Sequence, residues 1–261
     1  MKSELANIKI LVTRPVAQSE GLARLIRDAG GEPIACPALD IQPLAEEQME
    51  SALRSLPLLD LIIFISPNAA RLGMPHILKR GGLPAQARVA AVGPGTAAEL
   101  KKSGVRDIIV PEHGSDSEAL LKKIARVAID GARTLIVRGQ GGRAQLGETL
   151  RSRGAVVEYL ECYRRVTPDR DMLDLRSRSD RDAVKACLAT SSNIVENLFG
   201  MAGPQGCSWL CSIPFFVSHP RVAAAAFSRG VQSVFVAGNG DEALVKGVQT
   251  WFARLTPPAT P

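Results

Sequence analysis

Along the chain, short unbroken apolar runs alternate with longer stretches whose apolar residues recur at helical spacing. The runs are "IKILV" (8–12), "LIIFI" (61–65), "RVAAV" (88–92), "DIIV" (107–110), "TLIVR" (134–138), "VVEYL" (156–160), "AVKACLA" (183–189), "PFFVS" (214–218) and "SVFVA" (233–237). They lack the in-out alternation of a strand with one wet face, so each predicts a strand covered on both faces. Strands alternating with helices predict parallel sheets assembled from strand–helix–strand units.

The same pattern repeats within the chain. "VAAVGPGTAAELKKSGVRDIIV" (89–110) lies over "FFVSHPRVAAAAFSRGVQSVFV" (215–236) without a gap, each reading as strand, Pro-containing turn, Ala-rich helix, Gly stop and strand. The next stretches downstream also match, with helix-start signatures of the capping-box type at Ser115-x-x-Glu118 and Asn239-x-x-Glu242. Upstream, "FISPNAARL" (64–72) resembles "ATSSNIVENL" (189–198). The third piece, "TLIVRGQGGRAQLGETLRSRGA" (134–155), matches the N-terminal "ILVTRPVAQSEGLARLIRDAGG" (10–31), with Arg138 on Arg14 and Gly154 on Gly30. The pieces therefore run in a permuted order: one complete unit sits in the middle, and the second is divided between the two ends of the chain.

That order predicts an α/β protein of two similar domains, each a parallel sheet flanked by helices, one inserted into the other and joined by two linking strands. The outer, discontinuous domain is expected over 1–38 and 168–261, and the inserted domain over 39–167. The crossings are expected near 33–44 and 157–169, both extended, with the cleft between the domains as the default ligand site. The charged stretch 170–182 reads as a solvated helix and loop, and "LTPPATP" (255–261) as a disordered tail.

In open parallel sheets ligands sit beyond the carboxyl ends of the strands, which selects the turns to inspect. "VGPGTAAEL" (92–100) is a tight strand-to-helix turn carrying Thr96. "SPNAA" (66–70) and "SSNIV" (191–195) place hydroxyls and an amide at helix starts, where each serves equally as an N-cap. "RGQGGRA" (138–144) fits the G-x-G-x-x-A dinucleotide fingerprint through Gly139, Gly141 and Ala144, with Glu158 and Glu161 downstream for a ribose. Against that reading, the matching turn "TRPVAQSEG" (13–21) shares the arginine and not the glycines. Tyr163, beside Arg164 and Arg165 in a crossing, reads on its own as a packed linker aromatic.

Composition narrows the chemistry further. A net charge of +6 suits an acidic partner, but the positive residues form no run and aromatics are only 4%, which disfavours a nucleic-acid platform. Among five scattered cysteines only Cys207 and Cys211 show a weak metal spacing, with no histidine nearby, so no metal site is expected, and the apolar runs are too short to span a bilayer. No secretion signal opens the chain, and a cytoplasmic location is expected. There is no nucleophile-and-base pattern, paired-carboxylate motif or Walker loop.

In combination, "ILVTRP", "GGEPIACPALDI", "IFISPNA", "AVGPGTAAEL", "SDSEALL", "IVRGQGGRAQLGETLRSRGA" and "VEYLECYRRV" make the chain resemble the bacterial-type uroporphyrinogen-III synthases over most of residues 8–200. One departure is Val222, where that family often carries Thr. The resemblance implies a monomer of two α/β domains joined by two strands. The implied substrate is hydroxymethylbilane, a linear tetrapyrrole with eight carboxylates, closed into a ring with loss of water and inversion of ring D through a spiro intermediate. It implies no cofactor and no metal, no nucleic acid or membrane as partner, and neighbouring enzymes of haem and sirohaem synthesis as the proteins to meet. Carried over residue by residue, it makes Tyr163 the candidate for assisting the leaving hydroxyl and Thr96 a cleft residue. Arg14, Ser66, Asn68, Arg138, Arg143, Ser191 and Ser192 are candidate carboxylate contacts. Two rivals stand beside this reading: a nicotinamide-dependent oxidoreductase built on Gly139, Gly141, Ala144 and Glu158, and a non-catalytic two-lobed protein that binds an anionic metabolite.

Overall fold

The structure, a computed structural model, describes residues 5–114, 116–124, 129–142, 144–168 and 183–255. Ser115, Arg143, the charged stretch 170–182 and the tail from 256 lie outside the described residues. The chain divides into two units, residues 1–40 with 166–261 and residues 41–165.

The first unit holds a five-stranded sheet of β1 (Lys9–Val12), β2 (Glu32–Ala35), β9 (Val184–Ala189), β10 (Phe215–Val217) and β11 (Val234–Val236). The strand order is β11-β10-β9-β1-β2, with its neighbours parallel. Its helices are α1 (Glu20–Asp28), α7 (Ser192–Ser212), α8 (Pro220–Ser228) and α9 (Asp241–Leu255). Side chains of β1 alternate between two cores: Leu11 packs with Cys187, Phe215 and the face of α7, while Ile10 and Val12 pack with Leu22, Phe216 and Val248. Both faces are thus dry, which is why the runs show no polar alternation.

The second unit holds β3 (Asp40–Pro43), β4 (Leu61–Phe64), β5 (Arg88–Ala91), β6 (Ile108–Ile109), β7 (Arg133–Gly139) and β8 (Val156–Val166), in the order β3-β8-β7-β4-β5-β6. The pairs β4–β5, β4–β7, β5–β6 and β7–β8 are parallel. Its helices are α2 (Glu46–Arg54), α3 (Pro67–Lys79), α4 (Pro94–Lys102), α5 (Ser117–Ile124) and α6 (Gln145–Ser152). Ile62, Phe64, Leu135 and Val137 feed one core, and Leu61, Ile63 and Ile136 the other. A fully buried side chain of the Phe64 kind is worth roughly 1.5–3 kcal/mol over its exposed state.

Without its edge strand β3, the second sheet reads β6-β5-β4-β7-β8, element for element the order β11-β10-β9-β1-β2 of the first. The permuted repeat in the sequence is a single spatial plan built twice. Registers agree as well: Lys9 pairs with Glu32 as Arg133 pairs with Val156. Helix ends agree in kind. Ser66 caps α3 by accepting from Ala69 N at 3.0 Å, and Ser191 caps α7 by accepting from Ile194 N at 3.3 Å. Pro94 and Pro220 each occupy the first helical turn, where a missing N–H costs nothing.

Three details sharpen the sequence pattern. The expected crossing near 33–44 is made of two strands, β2 and β3, and β3 lies beside β8 in the second sheet. β8 continues well past "VVEYL" to Val166 and carries Tyr163 within the sheet. The start of α5 is capped by Asp116, whose Oδ1 accepts from Ala119 N at 2.8 Å, one residue on from the expected capping box.

Candidate functional site

In the second unit the carboxyl ends of adjacent strands gather the candidate residues. Ser66 follows β4, Thr96 lies in the first turn of α4 after β5, Arg138 is next to last in β7, and Tyr163 sits late in β8. Beside them is a cavity of about 290 Å³ walled by Ile65, Val92, Arg138, Gly139, Tyr163, Arg165 and the first turns of α5 and α6. Tyr163 is part of that wall and is closed off from solvent at 0% exposure.

Tyr163 is held on three sides. Its hydroxyl lies 3.0 Å from Ser66 Oγ. Arg165 Nη2 donates to the same oxygen at 3.5 Å, and the guanidinium carbon stands 5.7 Å from the ring centre. The ring lies directly against Gly139, whose Cα it approaches so closely that a methyl group there would collide with Cε2 and Cζ. Gly139 and Tyr163 are cross-strand partners, and Gln140 N donates to Tyr163 O at 2.7 Å.

This packing accounts for the glycines of "RGQGGRA". Gly139 makes room for Tyr163, Gly142 makes room for the Arg138 guanidinium, and Gly141 adopts the left-handed φ of 69° that closes the turn. The acidic residue of the dinucleotide reading is misplaced as well. Glu158 pairs with Leu135, five residues back along β8 from Tyr163, roughly 16 Å by strand rise. Its carboxylate is occupied by Ser55 Oγ at 2.6 Å and Arg133 Nη2 at 3.5 Å.

Arg138 is a buried cation at 5% exposure. Its Nε donates to Gly139 O at 3.2 Å and lies 3.7 Å from Glu161 Oε1, and its guanidinium covers the Tyr159 ring at 4.8 Å. Its counterpart Arg14 is engaged differently: Nη1 meets Asp241 Oδ1 at 2.5 Å, and Nε donates to Thr190 Oγ1 at 3.4 Å. In the repeat, Ser117 stands where the first unit has Asp241.

Thr96 is buried at 2% exposure, and its counterpart Val222 at 4%, so both face inward from matched helices. Asn68 is half-buried, with Oδ1 accepting from Arg71 Nη2 at 3.1 Å. In the first unit Ser191 caps α7, and Ser192 Oγ donates to Arg221 O at 3.4 Å. Arg143 lies outside the described residues. The structure therefore brings Ser66 and Tyr163 into direct contact, sets Arg138 in the same cavity wall, and leaves Asn68 half-buried beside Arg71.

Arg165 is the residue the sequence pattern overlooks. The usable signal is strand period: residues two apart share a face, so a strand reaching Val166 puts Arg165 on the Tyr163 side. Cys162, one residue from Tyr163, is a packed thiol pushed up to about 12 by burial, hydrogen-bonded to Arg138 O at 3.5 Å, and unsuited to act as a nucleophile.

Two α/β units with one strand order, and a cavity of mixed polar and apolar lining beyond the strand ends of the second, define an α/β protein of duplicated architecture. The family model "Uroporphyrinogen-III synthase HemD" matches residues 20–245. The uroporphyrinogen-III synthase of Salmonella typhimurium is 32% identical over 247 residues, covering 93% of this chain and 100% of that protein. The one from Escherichia coli is 30% identical with the same coverage. Among solved structures, a mutant uroporphyrinogen III synthase from the extreme thermophile Thermus thermophilus aligns over 95% of this chain and 98% of its own, with TM-score 0.63 at 20% identity. The chain belongs to the uroporphyrinogen-III synthase family. Nothing in these findings supports a nicotinamide-dependent oxidoreductase or a non-catalytic binding protein. Among the described residues, no helix is long and apolar enough to cross a membrane.

Proposed function

We propose that the chain converts hydroxymethylbilane to uroporphyrinogen III, and that Tyr163 assists departure of the terminal hydroxyl. The observation that carries this reading is a family match over residues 20–245 together with alignment along the whole length of two synthases. In the first step the C–O bond of the hydroxymethyl group breaks and its electron pair goes to oxygen. A proton supplied at that oxygen completes a water molecule, while the pyrrole nitrogen lone pair fills the carbon and yields an azafulvenium cation. Ring closure then inverts ring D through a spiro intermediate and ends with loss of a proton from carbon.

Three features support the assignment of roles. Tyr163 places a phenol, a competent hydrogen-bond donor, in the wall of the cavity. A reactive cation needs shelter from water, and a recessed, Tyr-walled cavity favours it. The substrate's eight carboxylates suit a chain of net charge +6 with helices starting beyond its strand ends. Arg138, Thr96 and Ser66 are the candidates to meet or organise it in the second unit, with Arg14, Ser191 and Ser192 in the first; Asn68 and Arg143 complete the candidate contacts. The protein works as a cytoplasmic monomer without cofactor or metal in this reading, and neighbouring enzymes of the same pathway are its protein partners.

The test uses freshly made hydroxymethylbilane, with porphyrin isomers separated after oxidation. The expected result is mainly the type III isomer. Type I product alone, at the spontaneous rate, rules the reading out.

A further inference from the structure

We infer that Ser66 is a positioning residue for Tyr163: its hydroxyl donates to the phenolic oxygen and so aims the phenol's own proton into the cavity. The inference rests on the reaction proposed above. Ser66 Oγ already accepts from Ala69 N at 3.0 Å, which orients the hydroxyl as part of the α3 cap. The proton of Ser66 Oγ remains available to Tyr163 OH, 3.0 Å away; either oxygen can donate at that distance, and the inference assigns the donation to Ser66. Arg165 Nη2 also donates to the phenolic oxygen, at 3.5 Å. An oxygen that receives two donors has its own O–H left for a third group, and Tyr163 and Arg165 both line the cavity.

The duplicated plan supplies an internal control. Ser191 is the counterpart of Ser66 and caps α7 in the same way. In the gap-free alignment of the repeat, the counterpart of Tyr163 is Leu39, which has no hydroxyl. The cap is therefore complete without a phenol, and the Ser66–Tyr163 bond is an addition belonging to the second unit alone. This reassigns Ser66 from the carboxylate contacts suggested by the family resemblance to the support of the reacting group.

The decisive variants are Ser66→Gly, which keeps most of the cap's stability while deleting the hydroxyl, and Ser66→Thr, which keeps both. Ser66→Gly is expected to lower kcat about tenfold with KM within about twofold, and Ser66→Thr to restore it. In a Tyr163→Phe background, Ser66→Gly is expected to add nothing further. A readout independent of turnover is the 13Cζ resonance of tyrosine, assigned with Tyr163→Phe: Ser66→Gly should move the Tyr163 signal and leave Tyr159 in place. If Ser66→Gly fails to fold, Ser66→Asp retains a cap but cannot donate, and the same loss of kcat is expected. Wild-type kcat in Ser66→Gly or Ser66→Asp, a rise in KM alone, or losses that multiply with Tyr163→Phe would overturn the inference. An unmoved Cζ signal alongside normal wild-type synthesis of the type III isomer overturns it while sparing the reaction. Absence of type III product from the wild-type chain removes the reaction and the positioning role together.

Discussion

Gly139 and Tyr163 are cross-strand partners in which the glycine's missing side chain is filled by the tyrosine ring. The contact sets the ring's position from one side, as Ser66 and Arg165 set its hydroxyl from the other. Gly139→Ala must therefore push the ring away or bend the strand, because the colliding ring is itself buried in the core. Overpacking of this kind costs roughly 1–3 kcal/mol. The expected variant is folded but destabilised in urea, with kcat reduced more than KM is raised. A fully stable, fully active Gly139→Ala would show that the ring has room to move.

Tyr163→Phe removes the hydroxyl and keeps the ring that fills the space beside Gly139. Its effect should fall on kcat, by roughly tenfold or more where acid–base groups supply ~10²–10⁴ in rate, and little on KM. Part of the change belongs to Ser66, whose partner is lost, so thermal melting is run alongside. Steady-state rates with fresh substrate, scored for the type III isomer, decide the matter; an unchanged kcat removes the role assigned to the phenol.

The double sheet was legible because each buried strand left an unbroken apolar run and because the repeat preserved spacing: Gly154 and Gly30, Pro94 and Pro220, Ser66 and Ser191 all occupy matched positions. The edge strands β2 and β3 were less legible, since "EPIA" and "DIQP" carry prolines and are only partly buried. The site was readable as a set of turns and not as a set of contacts. "RGQGGRA" has the glycines of a phosphate cradle, yet two of them answer to side chains, Tyr163 and Arg138. The tyrosine lies more than twenty positions downstream, and the arginine precedes the glycines, so local spacing shows neither contact. Which partner an arginine takes is equally invisible locally. Arg14 meets Asp241, more than two hundred residues away, and only the three-dimensional plan reveals it.

That pair gives a test in the first unit. Arg14 and Asp241 are 18% and 25% exposed and meet at 2.5 Å, so they are intermediate between a surface pair and a buried one. Breaking it by Arg14→Ala should cost on the order of 1–2 kcal/mol, more than a surface pair and less than a fully buried one. In a double-mutant cycle with Asp241→Ala, the second change should cost less in the absence of Arg14. If stability falls as expected while KM for hydroxymethylbilane stays constant, Arg14 is an anchor joining β1 to α9 and not a carboxylate contact. A raised KM with unchanged stability reverses that assignment.

The buried thiols predict an alkaline limit to stability. Burial raises the Cys36 thiol to about 11, the Cys162 thiol to about 12, and the Cys187 thiol well above its ordinary value of 9.0. Above pH 9 the unfolded chain loses these protons while the folded chain keeps them. The unfolded state therefore binds fewer protons, and stability falls as pH rises, by up to ~1.4 kcal/mol per pH unit for each thiol. Below pH 8 the contribution is fully present. Urea unfolding at pH 8, 9 and 10 should show this decline, and Cys162→Ala should decline less steeply than the wild type even though it starts lower through lost packing. The same burial governs reactivity at pH 8: a disulfide reagent should label the half-buried Cys207 and Cys211 in the folded protein, and all five cysteines only after denaturation. Rapid labelling of all five in the folded state would mean that the cores around Cys36, Cys162 and Cys187 open far more readily than their packing implies.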